Sequence, residues 1–481
     1  MSEIYFSEMM ENESAATQLE AMRQGDLKSA TLVESSLARI SEINPTFNAV
    51  VTLVETRARE EAEYWDQARM SGHNLPPLAG LPVLIKDNQR TQGVRTTLGS
   101  VRYLNDFPLE DAGIVARLRA AGAIVIGKTN IPEYSVGANT INPVFGATGN
   151  PFDPSMTCGG SSGGSAVAVA LNMTKMATGS DHGGSLRIPS CYCGVVGFRA
   201  TPGVVPNEER RTPSTHYSLQ GPIAQNVADV SLMLSVIAGR DHGGDRDPMA
   251  FPLDAQAFRK LSEINVGQLK VAVSVDLGGL LVSRDTRSLF LDRMEKMRSL
   301  FAVCDWHDID LTEAPGVDWH LRQDVFVSQY FEEAGSWEED FSRNIQQTYQ
   351  AAMQTPMKAI AEARYRQLQL IQRCDELFAD YDLLIVPGVG VQPFPWKLNH
   401  PETIDGAVID NYMSWLHLTS SLTVVGLPVL TIPLGLDTGG LPFGVQLVGP
   451  RYRDHRLLSI GKAVEQACAL DEVLSRPISS V

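Results

Sequence analysis

The sequence predicts an α/β fold in which helices cover both faces of a β-sheet. Short apolar runs typical of buried strands lie at 81–86, 123–126, 269–274 and 381–386. Helical patterns with short connections alternate with them, as in the helix-to-strand unit that starts at 111 and ends at 126. The chain has 481 residues, no internal repeat and no Pro- or Ser-rich linker. We therefore expect one large domain spanning residues 1–481.

The N-terminal part is predicted to begin with helices at about 12–45. Thr31 and Glu34 have the spacing of a capping box, which predicts a helix from Thr31 to about Ile43. A strand at 48–53 and a charged, exposed helix at 55–70 follow. The less regular stretch at 310–365 indicates helical elaboration over the sheet.

Composition excludes several classes of protein. The net charge is −16 and no helix carries a basic stripe, so we expect no nucleic-acid partner. No signal peptide and no apolar stretch of about 18 residues is visible, so we expect no membrane contact and a cytoplasmic location. Six cysteines without a CxxC pair indicate free thiols.

A Gly/Ser-rich segment, 159–165, precedes a run of small apolar residues from Ala166 to Ala170. A helix made of Ala and Val must be buried, so this segment is predicted to be an interior loop and not a flexible linker. A phosphate-binding loop is the other alternative. It is disfavoured because the Lys-Ser/Thr ending of a P-loop is missing.

A second segment, Asp181-His182-Gly183-Gly184-Ser185, places two glycines directly before a serine. Glycine lets neighbouring backbone N–H groups converge on one point, which is what an oxyanion requires. Ser185 is therefore a candidate nucleophile that needs a base. No histidine has a patterned neighbourhood, and His182 is too close in sequence to reach Ser185 easily. Lys86, at the end of an apolar strand, is the other candidate, because burial lowers the pKa of a lysine. Taken alone, Lys86 would fit an ordinary salt-bridged lysine better than a base. Asp87 and Asn88, which follow it, could hold the lysine in place.

Together these segments resemble the amidase signature family. The resemblance is carried by Gly159-Gly160-Ser161-Ser162-Gly163-Gly164-Ser165, by Gly179-Ser180-Asp181-His182-Gly183-Gly184-Ser185 and by Ile85-Lys86-Asp87. It runs from about Leu32 to the C-terminus, with a signature core at about 75–240 and a substrate-pocket region at about 285–420. It implies an α/β/α layered fold around a mixed sheet.

The resemblance also implies a Ser–cis-Ser–Lys triad of Ser185, Ser161 and Lys86, which cleaves an amide through an acyl-enzyme. Backbone N–H groups of His182, Gly183, Gly184 and Ser185 would hold the oxyanion, and no metal or organic cofactor is implied. Further residues are carried over in supporting roles (Asp181, Arg187 and Ser162) or as substrate contacts (Tyr134 and Gly160). The sequence departs from the family where Cys158 replaces a usual proline and Gly149 a frequent arginine.

Two functions remain open within this family. We expect a stand-alone amidase acting on a small or medium acyl amide, including an aryl amide or a carbamate. A homodimer is compatible with this expectation, and the sequence does not determine the oligomeric state. The alternative is the A-type subunit of an aminoacyl-tRNA amidotransferase complex, which has the same fold and triad but works with partner subunits. A non-catalytic scaffold that kept the fold is disfavoured because all three triad residues are present.

Overall fold

The central element of the computed structural model is a mixed β-sheet. The model describes residues 13–240, 246–330, 341–409 and 411–481. The strands of the protein are β1 (Val50–Leu53), β2 (Pro82–Lys86), β3 (Ile124–Thr129), β4 (Ile141–Asn142), β5 (Gly146–Ala147), β6 (Met176–Asp181), β7 (Val196–Arg199), β8 (Leu219–Ala224), β9 (Lys270–Val273), β10 (Val303–Trp306), β11 (Leu383–Pro387), β12 (Thr403–Ile404), β13 (Ala407–Val408), β14 (Val429–Leu436) and β15 (Pro442–Val448). Eleven of these form the large sheet, in the order β1-β3-β2-β6-β8-β7-β14-β15-β11-β9-β10.

Helices pack on both faces of this sheet. They are α1 (Ala15–Gln24), α2 (Ser29–Phe47), α3 (Glu55–Met70), α4 (Gly113–Ala120), α5 (Gly163–Ala170), α6 (Arg187–Cys193), α7 (Val227–Ile237), α8 (Arg284–Met297), α9 (Ala314–Tyr330), α10 (Arg343–Gln354), α11 (Met357–Asp380), α12 (His417–Val424) and α13 (Asp454–Cys468). One apolar cluster joins α1, α4, α7, α8 and α13 to one face. Two further clusters join α2, α3 and α5, and then α9, α11 and α12, to the other face. The predicted fold class is therefore confirmed.

The sheet combines parallel and antiparallel pairs. Strand β2 is parallel to both neighbours, β3 and β6, whereas β6 is antiparallel to β8. Along β2, Val83 and Ile85 lie in one apolar cluster and Leu84 in the cluster on the opposite face. Because side chains alternate along a strand, Lys86 is on the same face as Leu84, which is the face covered by α5.

Most predicted elements are confirmed, with ends shifted by up to four residues. The charged helix predicted at 55–70 is α3, and the irregular stretch after 310 contains α9 and α10, with residues 331–340 outside the described part. The capping box was wrong. Helix α2 begins at Ser29, so Thr31 already lies inside it. The Asp66 carboxylate of α3 accepts the Ser29 and Ala30 N–H groups instead, at 2.8 and 3.1 Å.

Helix α5 confirms the prediction for the Gly/Ser-rich segment, because all eight of its residues are buried. Gly164 explains one of the glycines: a Cβ at this position would lie 2.3 Å from the backbone nitrogen of Asn130. The helix can therefore approach the loop after β3 only with glycine there.

All six cysteines are free thiols. Within the described ranges, no helix combines the length and the apolar character needed to cross a bilayer.

Candidate active site

Lys86 ends β2 and is completely buried. Leu84 of β2 pairs with Ala177 of the parallel strand β6, which brings Lys86 level with the Gly179–Ser180 part of that strand. Its backbone N–H donates to Thr178 Oγ1 at 3.0 Å and fixes this alignment. The lysine side chain therefore projects toward the loop that precedes α5.

The Lys86 amino group lies among three serine hydroxyls. Its Nζ is 2.7 Å from Ser161 Oγ, 2.9 Å from Ser162 Oγ and 2.8 Å from Ser180 Oγ. Burial lowers the pKa of Lys86 well below its ordinary value, and the weaker attraction of Asp181 acts in the opposite direction. A neutral amine offers two N–H donors and one lone pair, which matches three hydroxyl neighbours. Lys86 forms no salt bridge within the described ranges, and its surroundings favour the neutral amine.

The hydroxyl protons of these serines are not equivalent. Ser162 Oγ donates to the Ser180 carbonyl at 3.2 Å, so its proton is already used. Ser161 has no hydrogen-bond partner other than Lys86 in the described part of the chain, so its proton is available to the lysine lone pair. The peptide bond between Gly160 and Ser161 is cis. The two serines therefore differ in their hydroxyl protons. The proton of Ser161 can point to the Lys86 nitrogen, whereas the proton of Ser162 is held by a backbone carbonyl.

Asp87 does not hold Lys86, contrary to one possibility raised by the sequence. Its Oδ2 accepts the N–H and hydroxyl of Thr97, at 3.1 and 2.5 Å. Asn88 acts indirectly, because its amide nitrogen donates to Ser180 Oγ at 3.2 Å.

Asp181, at the end of β6, organises the turn that carries Ser185. Its carboxylate is fully buried and forms ion pairs with Arg187 at 2.9 Å and with Arg199 at 3.1 Å. It also accepts the backbone N–H groups of Gly184 and Leu186, at 2.9 and 3.2 Å. Burial by itself would raise the pKa of Asp181, but the two guanidinium charges outweigh it and hold the pKa below the usual range. The turn is thus tied to a permanently ionised carboxylate.

The predicted oxyanion donors require one correction. The Gly184 N–H points to Asp181 Oδ1 and is therefore not available to a substrate. The N–H groups of His182, Gly183 and Ser185 have no hydrogen-bond partner within the described ranges. The Ser185 hydroxyl likewise has none there, and Ser161 and Ser185 both line one cavity.

This cavity has a volume of about 630 Å³. Its lining includes Ser161, Ser180 and Ser185 together with the 207–211 segment, which contains four charged residues. The size suits a small organic ligand. Tyr134 also lines the cavity, and its ring centroid lies 5.7 Å from that of Phe341. Burial raises the pKa of the Tyr134 phenol. Gly160 lies instead against the backbone of residues 138–139.

The His182 ring is directed away from Ser185. Its Nδ1 is 2.9 Å from Ser218 Oγ, and the ring packs at 4.8 Å on Tyr217. Burial, followed by the charges of Arg322 and Arg199, lowers the pKa of His182 well below its ordinary value. This histidine is therefore neutral and lies on the cavity wall.

Several site residues were missed by sequence reasoning. Ser180 is the third hydroxyl on Lys86, and its position directly before Asp181 on β6 was the available signal. Arg199 and Arg322 were given no role from the sequence, because no local spacing links either arginine to the residue that it contacts. Cys158 takes the place of a proline without entering the cavity, since its thiol contacts the Thr148 carbonyl at 3.4 Å.

Comparison with known proteins identifies the class of this enzyme. The family model described as Amidase matches residues 31–458. The structure of a bacterial aryl acylamidase of the amidase signature enzymes is similar, with a TM-score of 0.86, 26% identity, and coverage of 95% of this chain and 96% of that one. A peptide amidase from Stenotrophomonas maltophilia has a TM-score of 0.78 at 26% identity, covering 97% of this chain and 98% of that one. The chain belongs to the amidase signature family and is an enzyme of amide C–N bond cleavage.

Curated proteins with similar sequences are described more specifically than the family. A protein from Synechococcus sp. (strain WH7803) is 33% identical over 95% of this chain and 97% of its own length. Another, from Lachnospira eligens, is 30% identical over 93% of this chain and 96% of its own. Both are described as the A-type subunit of a glutamyl-tRNA(Gln) amidotransferase.

These relatives overturn two predictions. The expected stand-alone amidase is corrected, because the relatives are described as one subunit of an amidotransferase. The expected absence of a nucleic-acid partner is corrected for the same reason, since tRNA appears in their description. The first expectation failed because the two kinds of enzyme are expected to have the same fold and triad. The second failed because the charge of one chain does not report on the chains with which it assembles.

Proposed function

We propose that the chain is the amide-cleaving subunit of an amidotransferase acting on glutamyl-tRNA(Gln), with Ser185 as nucleophile, Ser161 as proton relay and Lys86 as base. The observation that carries the catalytic part is the contact of 2.7 Å between the buried Lys86 amine and Ser161 Oγ, beside a cavity that also holds Ser185. The similarity to curated subunits over nearly the whole chain supports the assignment to an amidotransferase. We also infer that the chain is one domain, because strands from residue 50 to residue 448 share one sheet.

In the proposed reaction, Ser185 transfers its proton to Ser161 while Ser161 transfers its own to Lys86. The Ser185 oxygen then attacks the amide carbon. The resulting oxyanion is received by the N–H groups of His182, Gly183 and Ser185. Lys86 returns a proton through Ser161 to the departing nitrogen, and ammonia leaves. Water opens the acyl-enzyme by the same relay.

The role of a partner follows from the chemistry of transfer. Ammonia released from the cavity must reach a second site where the acceptor is activated. The net charge of −16 disfavours contact between this chain and a polyanion, so we assign the binding of tRNA to a partner chain.

The test uses the chain co-purified with the remaining subunits of an amidotransferase. We expect nitrogen transfer from a primary amide such as glutamine to glutamyl-tRNA(Gln) to require the partners and ATP. Ser185→Ala should abolish transfer from the amide but retain transfer from added ammonium salt, because free ammonia bypasses amide cleavage.

Transfer from the amide by Ser185→Ala would contradict the catalytic assignment. Failure of the wild-type chain to support any transfer with partners present would contradict the amidotransferase assignment. Release of ammonia from glutamine by the wild-type chain in that case would leave the catalytic part intact.

A further inference from the structure

The large sheet is weakly paired between the two strands that carry the candidate site. Strand β2 pairs with β3 from Pro82 to Lys86, and β6 pairs with β8 along its whole length. Between β2 and β6, however, the only backbone pair within the described ranges is Leu84 with Ala177. Lys86 ends β2, and β6 leads into the Ser185 turn. The spacing of the proposed base and nucleophile therefore depends on contacts other than the backbone ladder.

Side chains close this gap between the strands. The Thr178 hydroxyl of β6 accepts the Lys86 backbone N–H at 3.0 Å and donates to Gln89 Oε1. The Gln89 amide nitrogen donates to the Gly179 carbonyl at 3.2 Å, and the Gln89 carbonyl accepts the buried Lys128 amine. Thr178 is completely buried, and Gln89 is 1% exposed. A buried polar network whose members are hydrogen-bonded holds its segments in one arrangement, so this bridge fixes β2 against β6.

The same threonine is also tied to the helix that follows Ser161. The Thr178 carbonyl accepts the Ser165 hydroxyl of α5 at 2.8 Å. Ser161 lies two residues before α5 begins. The three segments that carry the proposed triad therefore meet at Thr178: its own strand leads to Ser185, its side chain holds the backbone of Lys86, and its carbonyl holds α5.

We propose that Thr178 is a positioning residue for amide cleavage, and that its bridge with Gln89 sets the spacing between β2 and β6. This inference rests on the proposed roles of Lys86 and Ser185. Of the two bridging side chains, Gln89 borders the cavity and Thr178 does not, so Thr178 acts through Lys86 and not through the substrate. Without the hydroxyl, the Lys86 N–H loses its acceptor and β2 is free to shift. A displacement of about 1 Å between reacting groups can lower a rate by about 100-fold.

The first measurement is the second-order rate constant for reaction of Ser185 with a fluorophosphonate, which requires no amide substrate. The protein is the full chain co-purified with its partner subunits. We expect the rate constant of Thr178→Val to be about 10- to 100-fold below that of wild type, because valine has nearly the same shape and lacks only the hydroxyl. Thr178→Ser keeps the hydroxyl and should recover most of the rate, a rescue that a purely steric role would not give.

Thr431→Val is the matched control for this substitution. Thr431 lies on β14 of the same sheet and is completely buried, and its hydroxyl has no hydrogen-bond partner among the described residues. The same change from threonine to valine removes no hydrogen bond there. The fluorophosphonate rate of this variant should therefore stay near that of wild type.

Hydrogen exchange tests the bridge without any chemistry at Ser185. The Lys86 amide is protected in wild type by its bond to Thr178, and removal of the acceptor of a buried N–H favours local opening. We expect exchange at Lys86 to be about 5- to 150-fold faster in Thr178→Val, and close to the wild-type rate in Thr178→Ser and Thr431→Val. Gln89→Met should also accelerate this exchange, because it removes the other half of the bridge.

A wild-type labelling rate in Thr178→Val, or an equal loss of rate in Thr178→Val and Thr178→Ser, would overturn the positioning role. Unchanged exchange at Lys86 in both Thr178→Val and Gln89→Met would overturn the bridge. If the fluorophosphonate does not label Ser185 in wild type, the proposed function fails separately, and hydrogen exchange decides on the bridge alone. If Thr178→Val does not fold, exchange in Gln89→Met is the deciding result.

Discussion

Replacing Asp181 by asparagine should destabilise the protein far more than the loss of any surface ion pair. The carboxylate accepts five hydrogen bonds, from Arg187 Nε and Nη2, Arg199 Nη1 and the N–H groups of Gly184 and Leu186. Asparagine keeps one acceptor oxygen and turns an N–H₂ group toward these donors. It also leaves two buried guanidinium groups without a counter-charge.

Removing one partner of a buried ion pair costs about 3–5 kcal/mol. That is a large part of the roughly 5–15 kcal/mol by which natural domains are stable. Urea unfolding at neutral pH measures the loss as a lower midpoint, with Asp375→Asn as the control. The Asp375–Arg451 pair is 2.6 Å long, but Asp375 is 53% exposed, so its loss should cost less than about 1 kcal/mol. If Asp181→Asn is as mild as the control, the brace assigned to Asp181 is refuted.

Three further predictions address catalysis and packing. Ser185→Ala should lower amide turnover by about 10⁴-fold or more with unchanged circular dichroism, and a fluorophosphonate that still labels the variant would move the nucleophile elsewhere. Because protonation disables the base, kcat/KM should fall as the pH drops through the lowered pKa of Lys86; a flat profile down to about pH 5 would argue against a lysine base. Gly164→Ala should cost about 1–3 kcal/mol, since its Cβ would meet the Asn130 backbone, whereas Gly316→Ala, with open space around it, should be neutral or stabilising; equal effects on Tm would contradict this packing.

Local patterns predicted the parts of the site that lie on strands and tight turns. The apolar run ending at Lys86 and the glycines before Ser185 could be read directly, because short-range sterics determine such segments. The capping box at Thr31 failed because the helix begins two residues earlier, where Asp66 from the next helix accepts its first N–H groups. Tertiary contacts of this kind leave no local signal.

The arginines were not predictable for a related reason. Arg199 reaches Asp181 across 18 residues and Arg322 reaches Gly183 across 139, and no local spacing rule pairs either arginine with the residue that it contacts. Both side chains are buried in the assembled fold. Burial becomes visible only when the sheet and its covering helices are assembled.

The same burial explains how the site can hold a neutral lysine close to an ionised aspartate. Asp181 by itself would raise the pKa of Lys86 and weaken it as a base. Arg187 and Arg199 counter this attraction, because they are in direct contact with the carboxylate and surround it with positive charge. The Asp181 carboxylate can then fix the Ser185 turn without favouring the protonated form of Lys86. In the proposed mechanism, the two arginines would therefore serve catalysis as well as stability, since one ion-pair cluster would position Ser185 and keep Lys86 neutral.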